Sequence, residues 1–433
     1  MAEAEATAER VEYLAPDSKF VKDVIRLGGA SAKTCYQCGT CSVSCNVAYA
    51  REGDEPFPRR LMLWTQWGLK DKVLADPSIW ACHQCNDCSA NCPRGAKPGD
   101  VLAALRALCI QRYSVPGFMA TLFAEPRYLP LVFGIPALVL LGLLFLFQGM
   151  VFPSGPVIYK HFITEIYVEV AGVIVLGLAF VAAGLGVLRY WQAIQLPVTR
   201  EPVDGPGSLA LRTSQPKSLE MAYVATAADV ALHKDFWTCR AERLRPFGHL
   251  AVFWGFPLLL LATALSFLYT LIGIQGQLLP LTDPMKIAGN VGGVLALIGI
   301  LLLMYSRVRA RPGAWGAATY FDWLLLWLIF LNVASGFTLQ IVRLAGAPTL
   351  PYQLYIVHLI IVFASFAYVP YGKFAHIFYR TVALTAIRHG DRQGVYKFIV
   401  LLPASVAVAV GAVAVLVAVV FGVLWIIQKA LGG

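Results

Sequence analysis

Charge is what this chain has least of: Asp, Glu, Lys and Arg make up 14% of its 433 residues, against 58% hydrophobic residues and a mean hydropathy of +0.65. So apolar a composition excludes an ordinary soluble globule and requires several membrane spans. A secretory signal is also missing, because Met1 to Ser18 is acidic and Ala-rich, with neither a basic n-region nor an apolar h-region. The cysteines are therefore expected in the cytoplasm, where thiolates stay reduced and open to iron. No glycine-rich turn between a strand and a helix offers a dinucleotide site, and no paired-cysteine motif suggests an unusual catalytic cluster. Substrate chemistry is accordingly expected on another polypeptide. No repeat of solenoid length and no inverted pair of broken helices is present, so nothing argues for a transporter.

What the chain does have is one cysteine signature written twice, Cys35-Cys38-Cys41-Cys45 and Cys82-Cys85-Cys88-Cys92. The spacing CxxCxxCxxxC lets three thiolates of one loop wrap a cubic iron–sulfur cluster while the fourth reaches the neighbouring cluster. Structural zinc is the alternative, but it takes four ligands in two pairs, and two full tetrads of this spacing have no comparable zinc use. Crossed ligation assigns Cys35, Cys38, Cys41 and Cys92 to one [4Fe–4S] cluster and Cys82, Cys85, Cys88 and Cys45 to the other. Pro93 follows the second run as the pattern asks, whereas Asn46 stands at that place after the first. That exchange should alter the local turn and leave the thiolates in place. Cys109 and Cys239 fall outside both tetrads and read as buried structural thiols.

The expected fold is mainly α, in two parts. Residues 1–115 are polar and cysteine-rich, a small ferredoxin-like two-cluster domain whose clusters supply order that its modest core cannot. Residues 116–433 form a transmembrane helical bundle. Apolar runs of spanning length lie near 128–151, 162–189, 247–273, 286–306, 321–344, 352–378 and 397–427, which predicts seven spans. The net charge of +10 does not signal nucleic acid, because the basic residues flank spans rather than striping the soluble part. Arg212, Lys217, Lys234, Arg240, Arg243 and Arg245 lie in one loop, Arg307, Arg309 and Arg311 in a second, and Arg380, Arg388 and Arg392 in a third. With the cluster domain in the cytoplasm, alternate crossings place all three loops there too, as the positive-inside rule requires for an inner-membrane protein. Ser218 to Phe236, after a Pro/Gly-rich loop, reads as an interfacial helix on that surface.

Ionisable residues within spans are costly and so are functional candidates. His358 and His376 fall in the sixth predicted span, 18 residues apart, a whole number of turns that puts them on one face about 27 Å apart, toward opposite sides of the bilayer. A b-type haem in a helix bundle needs two imidazoles from facing helices at one depth. His249 opens the third span on the cytoplasmic side, level with His376, and these two are the expected axial pair. For His358, either His161 folds in as a partner ligand or His358 acts alone, on a quinone carbonyl or a quinol proton. His233 and His389 read as surface residues, and His83 as tuning its cluster by hydrogen bonding at most. Glu165 with Glu169, and Asp283 with Lys286, are either proton paths or interfacial charges.

The stretches CYQCGTCSVSC, FPRRLMLWTQWGLKDKVLADPSIWAC and HQCNDCSANCPRGAKPGDV resemble the iron–sulfur C component of heterodisulfide reductase. The stretches RPFGHLAVFWGF, GGVLALIGILLL and YIVHLIIVFASFAYVPYGKFAHIFYR resemble the nitrate reductase gamma-type cytochrome b and the cytochrome E component of heterodisulfide reductase. Their fusion in this order resembles the C component of the quinone-interacting membrane-bound oxidoreductases. That resemblance implies electron transfer between menaquinol or menaquinone, haem b, the two clusters and soluble flavin- and iron–sulfur-bearing subunits similar to the A component of heterodisulfide reductase, and onward to adenylylsulfate reductase; the alternative is a cytochrome b and iron–sulfur subunit of a heterodisulfide-reductase-like or sulfite-reduction-associated complex. It also places the inner haem pair on His249 and His376 and one outer ligand on His358. The remaining outer ligand would fall at Leu259, a departure from the pattern.

Overall fold

The computed structural model describes residues 15–49, 57–147, 149, 151–153, 155–194, 218–233, 236–237, 244–271, 279–309 and 319–389, and among these there is no strand. Short helices carry the cysteine runs: α1 Ser18–Val24, α2 Thr40–Val43, α3 Asn46–Tyr49, α4 Arg59–Gln66, α5 Lys70–Leu74, α6 Ser78–Ala81 and α7 Asp87–Ala90, closed by α8 Pro98–Tyr113 and α9 Gly117–Ala124. The membrane part follows as α10 Leu129–Phe147, α11 Tyr159–Phe162, α12 Glu165–Ala193, α13 Leu219–Leu232, α14 Leu244–Leu271, α15 Pro284–Arg309, α16 Tyr320–Leu344, α17 Leu350–Tyr368 and α18 His376–His389.

Six helices among the described residues are long and apolar enough to cross a membrane: Pro126–Leu146, Tyr167–Ala193, Leu244–Thr270, Pro284–Arg309, Tyr320–Leu344 and Leu350–Tyr368. They match the first six predicted spans; the seventh, 397–427, lies outside the described residues. The sixth needs correction. It ends at Tyr368 rather than near 378, because Pro370 has no N–H with which to continue the helix. The amides of Tyr371 and Gly372 turn back to the Tyr368 carbonyl at 3.1 and 2.9 Å, and the Tyr368 hydroxyl accepts from the Lys373 amide at 2.8 Å. His376 therefore opens a separate helix, so the expected shared face with His358 does not exist. His358 stands eight residues from the start of α17 and ten from its end, near mid-depth rather than at the outer side.

Helices α14 and α15 approach most closely. A Cβ on Gly255 would meet the Gly292 carbonyl at 2.8 Å, and one on Gly292 would meet the Gly255 carbonyl at 2.9 Å. Small residues let the two backbones touch, which is how helices associate where no hydrophobic force drives them together. The expected interfacial helix is α13, capped by Ser218, whose Oγ accepts from the Met221 amide at 3.4 Å; Met221, Val224 and Leu232 stay exposed on it.

The soluble part and the bundle share one core. Trp80 from α6 is fully buried, stacked on Tyr379 of α18 with centroids 5.3 Å apart and edge-on to Tyr190 of α12 at 6.4 Å. Phe20, Leu61, Leu105 and Ile110 belong to the same apolar cluster as Tyr190, Trp191 and Ala383. Burial at this seam fixes the second cysteine run against the membrane helices.

Candidate functional site

The two cysteine runs fold by one local rule. Gln37 and Gly39 in the first, and Gln84 and Asn86 in the second, have φ of 60°, 85°, 56° and 64° at equivalent positions. These left-handed residues curl each loop inward, and α2 and α7 start at the same register, immediately after Gly39 and Asn86. After the fourth cysteine the runs diverge, as the Asn46-for-Pro93 exchange predicts: Asn46 opens α3, whereas Pro93 enters a turn.

Cys45 joins the second run. A small cavity is lined by Cys45, Cys82, Cys85 and Cys88, and the Cys88 sulfur feels the charges of the other three. In the first run Cys41 has Cys35 and Cys38 beside it. Four thiols thus line one cavity, each from a different position of the chain. A cubic cluster takes one thiolate at each of its four iron corners. Burial pushes the Cys82 and Cys88 thiols up, whereas hydrogen bonds from the Thr40 hydroxyl and amide pull Cys38 down. Cys109 is a buried thiol beneath the same domain, its Sγ 3.5 Å from the Leu74 carbonyl; Cys239 lies outside the described residues.

Three arginines from three helices grip the second loop. Arg106 of α8 donates to the Ile79 and Cys82 carbonyls, Arg245 of α14 to the Gln84 carbonyl, and Arg380 of α18 to the Trp80 carbonyl at 2.6 Å and the Cys82 carbonyl at 3.0 Å. Arg380 also reaches His83 Nδ1 at 2.9 Å. Arg245 and Arg380, which sequence alone marks as topology charges, thus tie the cluster loop to the bundle. No spacing in the sequence announces these contacts.

Behind that loop opens a mainly apolar cavity of about 1440 Å³, lined by Cys82 and His83 at one end, His249 and His376 next to them, and His358 with Glu169 and Lys286 further along. It exceeds the usual size of a single small-molecule pocket. His249 and His376 have ring centroids 6.1 Å apart. An iron between two imidazoles needs two metal–nitrogen bonds of about 2 Å plus the span from each nitrogen to its ring centre, a sum slightly longer than this separation, so the rings would part a little to admit it. The His376 Nδ1–H donates to the Lys373 carbonyl at 2.7 Å, which leaves Nε2 unprotonated and able to accept a metal. Burial pushes His376 down to about 3, so its imidazole is neutral, the form that binds metal. The pair therefore fits a haem.

His233 corrects its expected place on the surface: it is buried, with Nε2 2.7 Å from His249 Nδ1, because α13 packs along α18 and its C-terminal end meets the start of α14. Burial also pushes its imidazole down from the ordinary value. His161 is exposed on α11, so it does not fold in beside His358. The Nδ1 of His358 lies 2.8 Å from Ser335 Oγ, whose own hydroxyl donates to the Asn332 carbonyl at 3.1 Å. Ser335 thus accepts from His358, and Nε2 is left as an acceptor. Nearby, Glu169 accepts from the Thr270 hydroxyl at 2.5 Å, and Gln340 donates to Asn290 at 3.0 Å. Asp283 instead accepts from the Met285 amide at 2.9 Å and caps α15. The side chains of Glu165 and His389 lie outside the described residues.

Comparison with known proteins bears on both parts. Residues 31–96 match the 4Fe-4S dicluster domain model, and the chain carries two [4Fe–4S] clusters on that basis. A protein of Archaeoglobus profundus described as like the C component of heterodisulfide reductase is 38% identical over 98 residues, 22% of this chain and 51% of that one. The iron-sulfur C component of the CoB–CoM heterodisulfide reductase of Methanopyrus kandleri is 35% identical over 130 residues, 28% of this chain and 62% of its own. The chain thus spans about half of the first of these relatives and less than two thirds of the second. Citrate utilization protein B of Escherichia coli is 26% identical over 329 residues, 72% of this chain and 82% of that protein. No solved structure matches. Residues 128–397, more than half of the chain, match the citrate utilization protein B model, and the chain belongs to that family.

Proposed function

We propose that this chain is the membrane electron-transfer subunit of a quinone-linked oxidoreductase, joining menaquinol or menaquinone to soluble flavin- and iron–sulfur-bearing subunits similar to the A component of heterodisulfide reductase. The observation that carries the reading is the shared wall: Cys82 and His83 of the second cluster loop line the same cavity as His249 and His376. A haem b held by those two histidines, together with the two clusters, would supply one-electron carriers between a two-electron quinol and a water-soluble partner. Arg245, Arg307, Arg309, Arg380 and Arg388 all belong to the helix ends on the cluster side, which supports a cytoplasmic cluster domain in the inner membrane.

The residues divide the work by depth. Trp80 and the three arginines seat the second loop against the bundle, while the first loop leaves Cys38 exposed toward a partner. Deeper in the cavity His358, held by Ser335, offers Nε2 to a quinol hydroxyl, and the Glu169 carboxylate supplies a second proton site. Oxidation of one quinol there releases two electrons and two protons. The soluble subunits and adenylylsulfate reductase as final acceptor follow from the resemblance to quinone-interacting oxidoreductases. The family match favours a second reading, a redox partner engaged in citrate utilisation.

Purified full-length protein in detergent tests the first step. A reduced-minus-oxidised b-type spectrum and about eight irons per chain are expected. His376→Ala should remove the haem and keep the cluster iron; unchanged haem and unchanged quinol-driven cluster reduction would overturn the reading. Co-purification with an adenylylsulfate reductase, or with proteins of citrate utilisation, separates the two partners.

A further inference from the structure

Helix α13 touches both histidine-bearing helices. At its C-terminal end His233 meets His249 of α14, and along its flank Arg388 of α18 bonds Thr226 at 2.8 Å and pairs with Asp229. His233 takes the left-handed conformation, φ 53°, in the position after the helix where glycine or asparagine is usual. A bulky ring is strained there, and such strain concentrates at sites that need a particular side chain. Phe236 and Phe253 stand edge-on to the ring at 5.7 and 5.2 Å and fix its plane.

We propose that His233 is the positioning residue of the haem ligand His249, accepting the Nδ1–H of that imidazole on its own Nε2, and that α13 thereby holds both ligand-bearing helices in register. The inference rests on the haem reading above. If His249 binds iron through Nε2, its proton must sit on Nδ1, and the polar atom 2.7 Å from that nitrogen is His233 Nε2. An acceptor on the far nitrogen makes the bound imidazole a stronger electron donor, which favours ferric over ferrous iron. His376 has the weaker arrangement, a backbone carbonyl. The two ligands are therefore unequal, and His233 is what makes His249 the more basic.

The test is redox titration of purified wild type, His233→Ala and His233→Gln, with cluster iron as the measure of folding. Loss of an outer-shell partner typically weakens metal binding about 10- to 100-fold. His233→Ala should keep a two-histidine spectrum, lose haem more readily, and show a raised midpoint potential. A tenfold change in the preference for ferric haem corresponds to about 59 mV. His233→Gln, whose amide oxygen can accept the same bond, should recover most of the shift. An unmoved potential in His233→Ala overturns the proposal, as does lower haem content at the wild-type potential. Complete loss of the haem spectrum, matching His249→Ala, would make His233 a ligand and also overturn it. Wild-type protein without haem refutes the underlying reading before any substitution is compared.

Discussion

Residues 35–45 and 82–92 share their left-handed turns and helix register, yet their surroundings are opposite. In the first, only Cys41 is buried, while Cys38, Tyr36 at 67% and Val43 at 65% are exposed; in the second, Cys82 and Cys88 are both buried and Cys82 borders the cavity inside the bundle. The difference teaches that spacing sets how a loop wraps a cluster, while tertiary placement sets what that cluster can exchange electrons with. One loop opens outward and the other faces the bundle.

The sharpest way to break this comparison is to remove the thiol that crosses between the loops. Cys45→Ala should abolish the second-loop cluster, lowering iron from about eight to about four per chain, and its low-temperature EPR spectrum should match that of Cys88→Ala, not that of Cys41→Ala. A match with Cys41→Ala would return Cys45 to its own run. Next in size is the seam. Trp80→Ala should cost about 3–5 kcal/mol, visible as an early transition in thermal unfolding, because the stacked pair with Tyr379 is lost. A single unchanged transition would mean that the second loop is not anchored there.

The smallest effect belongs to the exposed side. Asp17 caps α1 through the Phe20 amide at 2.9 Å, and that bond holds its carboxyl below the ordinary value. A lowered carboxyl stabilises the fold above its unfolded value and loses that contribution as pH falls through its folded one. Asp17→Asn can cap without a charge. The wild type should therefore lose a small melting-temperature advantage over the variant on acidification below about pH 4, and parallel curves would remove the charge from the account.

How much was legible follows from the range of each interaction. The cysteine spacing is local, so both loops, the Asn46 difference and the mainly helical fold could be read directly. The spans were legible from apolar length, except where Pro370 and Gly372 interrupt the sixth; the signal was present and the surrounding hydropathy hid it. His249 and His376 could be paired by depth because α14 and α18 both begin at the cluster side. His233 was not legible, since no periodicity encodes a contact between the end of one helix and the start of another 16 residues on. The arginines were visible as charges, but their carbonyl partners are up to 300 residues distant.

The interruption after Tyr368 has a mechanical consequence. His376 rides on α18, which is bolted to the soluble part through Tyr379 and Arg380, while His249 rides on α14, clasped to α15 backbone against backbone. The gap between the two imidazoles is thus a joint whose two arms, Arg380 of α18 and Arg245 of α14, hold the same cluster loop, so a shift of that loop reaches both sides at once.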